Sequence, residues 1–308
     1  MKVSIIIPTY NGREKIIRCL NAILKQRQPP NEIIVIIDGG NDDTARLITD
    51  ELVVPSGAPK VIVREKKNGG RACARNFGAK IASFELLLFV DDDIEVSEDF
   101  VEKHLLLQKN NTNAIISGPA YQDVAAGKNK DFFLFRRHRE EKWIESFPRD
   151  SVYKGRLAST AQLSILKDVF WKLGGFSADL RDAEDFYFIV NASDSGVPIL
   201  FDFSCTVSHC DYSDLEGFIK RNVEYYLARR VLRKLDPHLE QRFPEVFSEP
   251  KLGSAMAAAL RYILIYREFW RIVIDSSLFA LLPKKIRFVL YDVIISSSVI
   301  YELRSKKE

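Results

Sequence analysis

Short continuous runs of apolar residues recur along the first two-thirds of the chain. Residues 3–7, 32–37 and 86–90 are three such runs, apolar except for Ser4 and Glu32, and each is followed by polar residues or loop formers. Runs of this length are typical of strands covered on both faces, as in a parallel sheet. Between the first two, residues 13–28 place apolar side chains at helical spacing. This succession predicts a strand, helix and strand unit with a right-handed crossover.

The same pattern continues to residue 211 and then changes. Further strands are predicted at 60–64, 115–119 and 159–166, with another after Pro198, whereas the charged and aromatic stretch at 128–150 fits either an acceptor-binding flap or, slightly better, an amphipathic helix. From residue 215 onward the periodicity is helical, and prolines separate the pieces. The sequence thus predicts an α/β domain over residues 1–211 and a helical extension over 212–308.

Composition narrows the class of protein. The chain has 308 residues, 46% of them hydrophobic, and its net charge of +3 is too small to indicate nucleic acid as a partner. The extension carries 17 Lys and Arg against 12 Asp and Glu, a net charge of +5, which favours an anionic surface or acceptor. Four cysteines without paired spacing predict neither a zinc site nor disulfides, and fit a reducing, cytoplasmic compartment. No apolar run is long enough to predict a transmembrane helix.

Three adjacent carboxylates, Asp91, Asp92 and Asp93, end the apolar run at residues 86–90. In open α/β sheets ligands bind beyond the carboxyl ends of the strands. Crowded carboxylates raise one another's pKa unless a cation compensates, and oxygen ligands of this kind suit Mg²⁺ or Mn²⁺ shared with a substrate's phosphates. The alternative is a solvated acidic turn that leads into a helix.

Other polar residues also have two readings. Arg71 and Arg75 are one helical turn apart after Gly69 and Gly70, so they could grip phosphate oxygens together or remain solvated. Glu184 and Asp185 precede an apolar helix, where acids either complement the helix dipole or supply a catalytic carboxylate. His209 alone is more often structural than a metal or phosphate contact.

Taken as a spaced series, these motifs strongly resemble the family-two glycosyltransferases of the GT-A fold over roughly residues 3–211. Residues 4–11, S-I-I-I-P-T-Y-N, are similar to the family's opening strand and nucleotide-contacting loop. The resemblance implies donor contacts from Pro8, Thr9, Tyr10 and Asn11. Asp38 matches the second acid of the family's D-D-G-S-x-D pattern, which hydrogen-bonds the base, usually uracil. Ile37 and Gly40 stand where the pattern has its first acid and its serine.

The resemblance extends to the later motifs. Residues 68–78 are similar to the family's N-x-G-x-x-x-A-R-N-x-G segment, which implies that Asn68, Gly70, Arg71 and Arg75 bind the donor. The D-x-D match implies donor contacts from Asp91 and Asp92 and metal contacts from Asp93 and Asp91, with Asp93 the most direct. His209 stands where many members of the family have a histidine near the metal and the diphosphate, which implies a third metal contact. The G-G-F…E-D match implies that Asp185 is the catalytic base, supported by Glu184. Asn191 stands about where an arginine commonly follows that pair.

The implied protein is a GT-A enzyme with a nucleotide-binding half at 1–93 and an acceptor half at 94–211. It would be an inverting glycosyltransferase that uses Mg²⁺ or Mn²⁺ and moves a sugar from a nucleoside-diphosphate sugar, usually UDP-linked, to a glycan or lipid-linked hydroxyl. Such an activity belongs to cell-surface polysaccharide or glycoconjugate synthesis. Two alternatives remain. A nucleotidyltransferase would normally have a Gly-rich basic loop after the first strand, and a non-catalytic scaffold would not need the intact carboxylates.

The extension has an interpretation of its own. Residues 255–303 predict amphipathic helices rich in aromatic side chains, with Lys284 and Lys285 nearby. Such helices suit the cytoplasmic face of a membrane, where they would bring the site to a lipid-linked acceptor. Equally, they could pack on the catalytic domain or on a second copy in a homodimer.

Overall fold

The computed structural model describes residues 1–125, 130–146, 158–180, 182–248 and 266–305. Its strands are β1 Val3–Thr9, β2 Glu32–Ile37, β3 Lys60–Glu65, β4 Leu86–Val90, β5 Ile94–Glu95, β6 Ile115–Ser117, β7 Ala120–Gln122, β8 Gln162–Leu166, β9 Ile199–Phe201 and β10 Val207–His209. Its helices are α1 Ile16–Leu24, α2 Thr44–Glu51, α3 Arg71–Ile81, α4 Phe100–Asn110, α5 Lys130–Glu145, α6 Lys167–Lys172, α7 Glu184–Asp194, α8 Leu215–Leu235, α9 His238–Arg242, α10 Pro244–Phe247, α11 Arg267–Ile274, α12 Ser277–Leu281 and α13 Lys284–Ser305.

A seven-stranded sheet organises the first of two compact units, which comprises residues 1–125 and 137–211. The strand order is β3-β2-β1-β4-β8-β6-β9. The first four strands of this order are parallel to one another, whereas β8 runs antiparallel to both β4 and β6. The mostly parallel sheet predicted from the apolar runs is therefore confirmed.

Helices cover both faces of this sheet, which is why β1, β2 and β4 are buried along their whole length. Alternate side chains of β1 point to opposite faces, as strand geometry requires. On one face they pack with α1, α2 and α4, and on the other with α3, α6 and α7. Each buried Ile or Leu contributes about 1.5–3 kcal/mol of transfer free energy. The continuous apolar runs thus supply the core and bring three strand ends to one edge.

A second, three-stranded sheet has the order β5-β10-β7. In it, His209 pairs with Ile94 of the antiparallel strand β5, directly after the acidic triplet. This pairing brings the predicted metal residue His209 next to Asp93, from which it is far away in sequence.

The second compact unit comprises residues 126–136 and 212–308, of which residues 130–136, 212–248 and 266–305 are described. The sequence assigned 126–136 to the catalytic domain, but aromatic packing groups the start of α5 with the helical extension. The ring of Phe132 packs edge-on against Phe218 of α8 and at a tilt against Tyr291 of α13, and Phe135 contacts the same tyrosine. The helix predicted within 128–150 is present as α5, Lys130–Glu145. Residues 128–129 and 147–150 of that prediction, and the part of the predicted tail helix at 255–265, lie outside the described residues.

Among the residues that the structure describes, no helix is both long enough and apolar enough to cross a membrane.

One polar cluster in the core of the first unit predicts a pH effect on stability. The imidazole of His104 is fully buried, with Nδ1 2.9 Å from Ser164 Oγ and Nε2 3.0 Å from Gln162 Oε1. Burial lowers the pKa of His104 to about 4. Because the unfolded chain binds this proton near pH 6.5, stability is present above that pH and is lost as the pH falls toward 4.

We expect this loss to reach about 3 kcal/mol, from a shift of roughly 2.5 pKa units at 1.36 kcal/mol each. Urea unfolding between pH 7 and pH 4 measures it, and His104→Asn should flatten the pH dependence attributable to this site. His238→Asn, at an exposed histidine, is the matched control. An equally steep loss in His104→Asn would contradict the assignment.

Candidate active site

The predicted site residues lie at the carboxyl edge of the parallel strands. β1 ends at Thr9, β2 is followed by Asp38 and β4 is followed by Asp91. The backbone N–H of Asp38 donates to the Thr9 carbonyl at 2.8 Å, and the Thr9 hydroxyl donates to Asp92 Oδ2 at 2.6 Å. Thr9 therefore ties the loop after β1 to the loop after β2 and to the acidic triplet.

Asp38 is buried and fastens the glycine loop before α3. Its carboxylate accepts from the backbone N–H of Gly69 at 3.0 Å and of Gly70 at 2.7 Å, and Lys66 Nζ lies 2.5 Å from Oδ1. Sequence reasoning missed Lys66, although a lysine directly after β3 at this edge was a usable signal. Asn68 lies exposed in the same loop. A contact from Asp38 to a nucleobase stays a prediction.

The loop after β1 explains one departure from the family pattern. Asn11 has a left-handed backbone (φ +48°), and its Oδ1 accepts from the backbone N–H of Asn41 at 3.1 Å. Gly40 has φ +114°, and a Cβ there would lie 2.4 Å from that same oxygen. A serine at position 40 would be strained and would clash, because only glycine adopts this conformation readily. Tyr10 lies exposed beside this turn, and Pro8 is buried at the end of β1.

Arg75 links the acidic triplet to the predicted catalytic acids. It is 1% exposed; Nη2 binds Asp91 Oδ1 and Nη1 binds Glu184 Oε1, each at 2.5 Å. Although burial alone would lower its pKa, Asp91 and Glu184 raise the pKa of Arg75 above its usual value, so it stays charged. Arg71 is exposed and contacts Asp182 at 3.4 Å. In this arrangement the two arginines contact different partners, and Arg75 positions two carboxylates.

The acids at the start of α7 occupy different environments. Ala183, directly before them, has a left-handed φ of +63°, a conformation that costs free energy for a residue with a Cβ. Glu184 is buried, and burial raises its pKa while Arg75 opposes the rise. Asp185 is half-buried, and its Oδ1 accepts from the backbone N–H of Phe186 at 2.8 Å. Of the two, Asp185 is the one that solvent reaches more readily.

Asn76 holds the glycine turn that precedes α7. Its amide donates to the Phe176 carbonyl at 2.7 Å and accepts from the Phe176 N–H at 3.0 Å. Asn76 belongs to the segment at residues 68–78 that resembles the family motif, but the sequence alone assigned it no role. Because Asn76 directly follows Arg75, one turn of α3 contacts both Glu184 and the glycine turn that precedes α7.

Two cationic groups face Asp93. His209 Nε2 lies 3.3 Å from Oδ1, and Lys15 Nζ lies 3.4 Å from Oδ2. Burial alone would raise the pKa of Asp93, but His209 and Lys15 hold it well below its usual range. Burial would lower the pKa of His209, yet Asp93 raises it to about 9. Burial and the neighbouring Asp93 raise the pKa of Asp92 to about 7.

The donor set fits a hard divalent cation in part. Two ligands of one ion, each about 2.1 Å from it at right angles, are about 3 Å apart, close to the separation of Asp93 Oδ1 and His209 Nε2. Among the described residues, no three His, Cys, Asp or Glu side chains form a complete metal-binding group. Because Mg²⁺ usually takes one or two carboxylates and completes its shell with phosphates and water, this incomplete set suits an ion bound together with a phosphorylated ligand.

Comparison with proteins of known sequence places the chain in a family. The model for "Glycosyl transferase family 2" matches residues 4–172, more than half of the chain. Glycosyltransferase AglE of Haloferax volcanii is 28% identical over 205 residues, which cover 65% of this chain and 64% of AglE. Poly(ribitol-phosphate) beta-glucosyltransferase of Bacillus spizizenii is 31% identical over 134 residues, 43% of this chain and 21% of that enzyme. The matches thus span less than two thirds of these curated relatives.

Solved structures support the fold. The match to TarS 1–349 of S. aureus spans 99% of this chain and 92% of the TarS chain, with 19% sequence identity and a TM-score of 0.55. The match to mannosyltransferase PcManGT from Pyrobaculum calidifontis spans 97% of this chain and 86% of the PcManGT chain, with 16% sequence identity and a TM-score of 0.59. The predicted α/β fold of the GT-A type, with helices at its C-terminal end, agrees with both. The family predicted from the spaced motifs is confirmed, and the chain belongs to glycosyl transferase family 2.

Proposed function

We propose that the protein transfers a sugar, with inversion, from a nucleoside-diphosphate sugar to a hydroxyl of a glycan or lipid-linked acceptor, using Mg²⁺ or Mn²⁺. The observation that carries this proposal is the double contact of Arg75, which joins Asp91 of the acidic triplet to Glu184 beside Asp185. A donor held at the triplet and a base at the start of α7 would then have a fixed spacing. A role in cell-surface polysaccharide or glycoconjugate synthesis would follow.

In this proposal Asp185 accepts the proton of the acceptor hydroxyl as its oxygen attacks the anomeric carbon from the face opposite the diphosphate. The bond from that carbon to the diphosphate oxygen breaks, and its electron pair stays on the phosphate. Arg75 holds Glu184, the chain neighbour of Asp185, in place relative to the triplet. When bound at Asp93, with His209 and Asp91 close by, the metal would neutralise charge on the leaving diphosphate.

Donor binding is assigned to the sheet edge. Pro8 and Thr9 end β1, Tyr10 and Asn11 begin the loop that follows it, and the exposed ring of Tyr10 suits stacking on a base. A UDP donor is favoured by the match of Asp38 to the family pattern. Among the structural neighbours, TarS has been solved with UDP and with UDP-GlcNAc, and PcManGT with GDP-Man and Mn²⁺. These ligands support a nucleoside-diphosphate sugar as the donor class.

Thermal unfolding in the presence of UDP-, GDP- and TDP-linked sugars, with Mn²⁺, Mg²⁺ or EDTA, tests the proposal. A donor at 100 times its Kd should stabilise the fold by about 2.7 kcal/mol, and EDTA should remove most of that gain. Absence of stabilisation by any of these sugars would overturn the assignment of the donor class. Stabilisation that survives EDTA would overturn the metal requirement alone.

The helical unit adds a proposed location: its α11 to α13 segment lies on an anionic membrane surface. Ile272, Leu278 and Leu281 are 70%, 70% and 79% exposed, which is unusual for large apolar side chains. Lys284 and Lys285 are exposed beside them and would complement anionic headgroups.

Co-sedimentation with phosphatidylcholine vesicles, with and without phosphatidylglycerol, tests this location. We expect binding only to the anionic vesicles, weakening with salt, and lost in the double variant Leu278→Ser with Leu281→Ser. Val53→Ser, at an apolar residue of the first unit that is 80% exposed, is the matched control. A protein that stays in the supernatant and sediments as a discrete dimer would assign the apolar segment to a second copy instead.

A further inference from the structure

The acidic triplet already holds a cation that the chain itself supplies. Lys15 precedes α1, and its ammonium lies 3.4 Å from Asp93 Oδ2, while His209 takes the other oxygen of the same carboxylate. An ammonium is the ordinary form of a lysine side chain at neutral pH, and a carboxylate oxygen 3.4 Å away favours that form.

The local backbone is built to bring Lys15 to this place. The backbone N–H groups of Lys15 and Ile16 both donate to the Gly12 carbonyl at 2.9 Å, which fixes the turn before α1. At Gly12 a Cβ would lie 2.7 Å from Asp92 Oδ2 and closer still to the Thr9 hydroxyl. Only a residue without a side chain lets this turn approach the triplet so closely. The turn at Gly12 places Lys15, and Asp92 of the triplet leaves no room for a side chain at that turn.

We propose that Lys15 is an internal competitor of the divalent cation, occupying Asp93 Oδ2 until the donor's diphosphate draws the ammonium away. This inference rests on the proposed function, because it assumes that the triplet is the metal and donor site. With Lys15 in place, its ammonium offsets the charge of Asp93, and a divalent ion would enter the site directly beside that ammonium. Like charges within about 4–6 Å repel, so the ion binds weakly while the diphosphate is absent.

A nucleoside diphosphate changes this balance. Its phosphate oxygens supply negative charge for both the ion and the displaced ammonium, and they complete the coordination that the described side chains leave incomplete. Metal and nucleotide should therefore bind with positive coupling, and the coupling should depend on Lys15.

Titration of the full chain with Mn²⁺, followed by electron paramagnetic resonance without nucleotide, tests the inference directly. We expect Lys15→Met to bind Mn²⁺ at least about tenfold more tightly than the wild type, and Lys15→Arg to resemble the wild type. Lys25→Met, at an exposed lysine just after α1, is the matched control and should change nothing. With saturating UDP, the difference between Lys15→Met and the wild type should shrink.

Equal or weaker Mn²⁺ affinity in Lys15→Met overturns the inference, including the outcome in which neither protein binds Mn²⁺ without nucleotide. Circular dichroism of each variant checks the fold, and Lys15→Gln replaces Lys15→Met if the latter fails to fold. Donor-dependent stabilisation, measured on the same samples, separates the two failures. If donors stabilise the wild type but Lys15→Met gains no Mn²⁺ affinity, only the role of Lys15 fails; if no donor stabilises the wild type, the proposed function fails.

Discussion

Replacing Asp185 with asparagine is expected to lower the rate of sugar transfer by about 10²-fold or more while donor affinity stays near that of the wild type. The amide has the shape of the carboxylate but cannot take up the acceptor's proton. The contact of Asp185 Oδ1 with the backbone N–H of Phe186 can be kept by the amide oxygen, so the start of α7 should remain folded. The effect should therefore appear in the chemical step and not in binding.

Single-turnover transfer, together with calorimetric titration of the donor, measures the two quantities separately. Asp179→Asn is the matched control, because Asp179 is exposed in the loop between the glycine turn and α7. Transfer by Asp185→Asn at nearly the wild-type rate would mean that another group deprotonates the acceptor. Glu184 and Asp182 would be tested next.

Replacing Asp93 with alanine is expected to abolish metal-dependent binding of a nucleoside diphosphate, a loss of at least about 10²-fold. Asp93 is the one carboxylate of the triplet that both Lys15 and His209 contact. Without it, the cation loses its most direct oxygen ligand, and the ammonium of Lys15 remains to repel the ion. Calorimetric titration with UDP in Mn²⁺ and in EDTA measures the loss.

Because removal of Asp93 also leaves Lys15 and His209, which are both partly buried, without their shared partner, stability must be measured alongside binding. Asp93→Asn keeps the shape and serves as the second variant, with urea unfolding to show that both remain folded. Glu98→Gln, at an exposed carboxylate, is the control. Metal-dependent UDP binding that persists unchanged in folded Asp93→Ala would refute the role of the acidic strand end.

Much of the fold and of the site's location could be predicted from sequence because both depend on local pattern. The runs that became β1, β2 and β4 are continuous and apolar, and such runs become buried strands with their polar ends at one edge. Asp38 and Asp91 directly follow two of these strands, so their convergence was expected. The spacing of the motifs was specific enough to give the family.

Arg75 illustrates what spacing could not predict. Four residues of separation put Arg71 and Arg75 near one helix face, which suggested a shared grip on phosphate. In the structure, small residues of α3 such as Ala74 and Gly78 pack on the sheet and let the helix approach closely. That approach buries Arg75 between Asp91 and Glu184, the latter 109 residues away, while Arg71 stays exposed. The direction of each side chain depends on how the helix docks.

The sequence by itself determined which residues form the sheet, where its polar edge lies and which family the chain belongs to. Buried strands and spaced motifs can be recognised in short stretches of sequence, without knowledge of distant contacts. Only the tertiary structure decided which charges meet there. The pairing of β10 with β5 brings His209 to Asp93, and the turn at Gly12 brings Lys15 to the same carboxylate. Such contacts depend on strand register and on the close approach of backbone segments, which are set by packing across the whole unit. They produce no periodic pattern of residues from which they could be predicted.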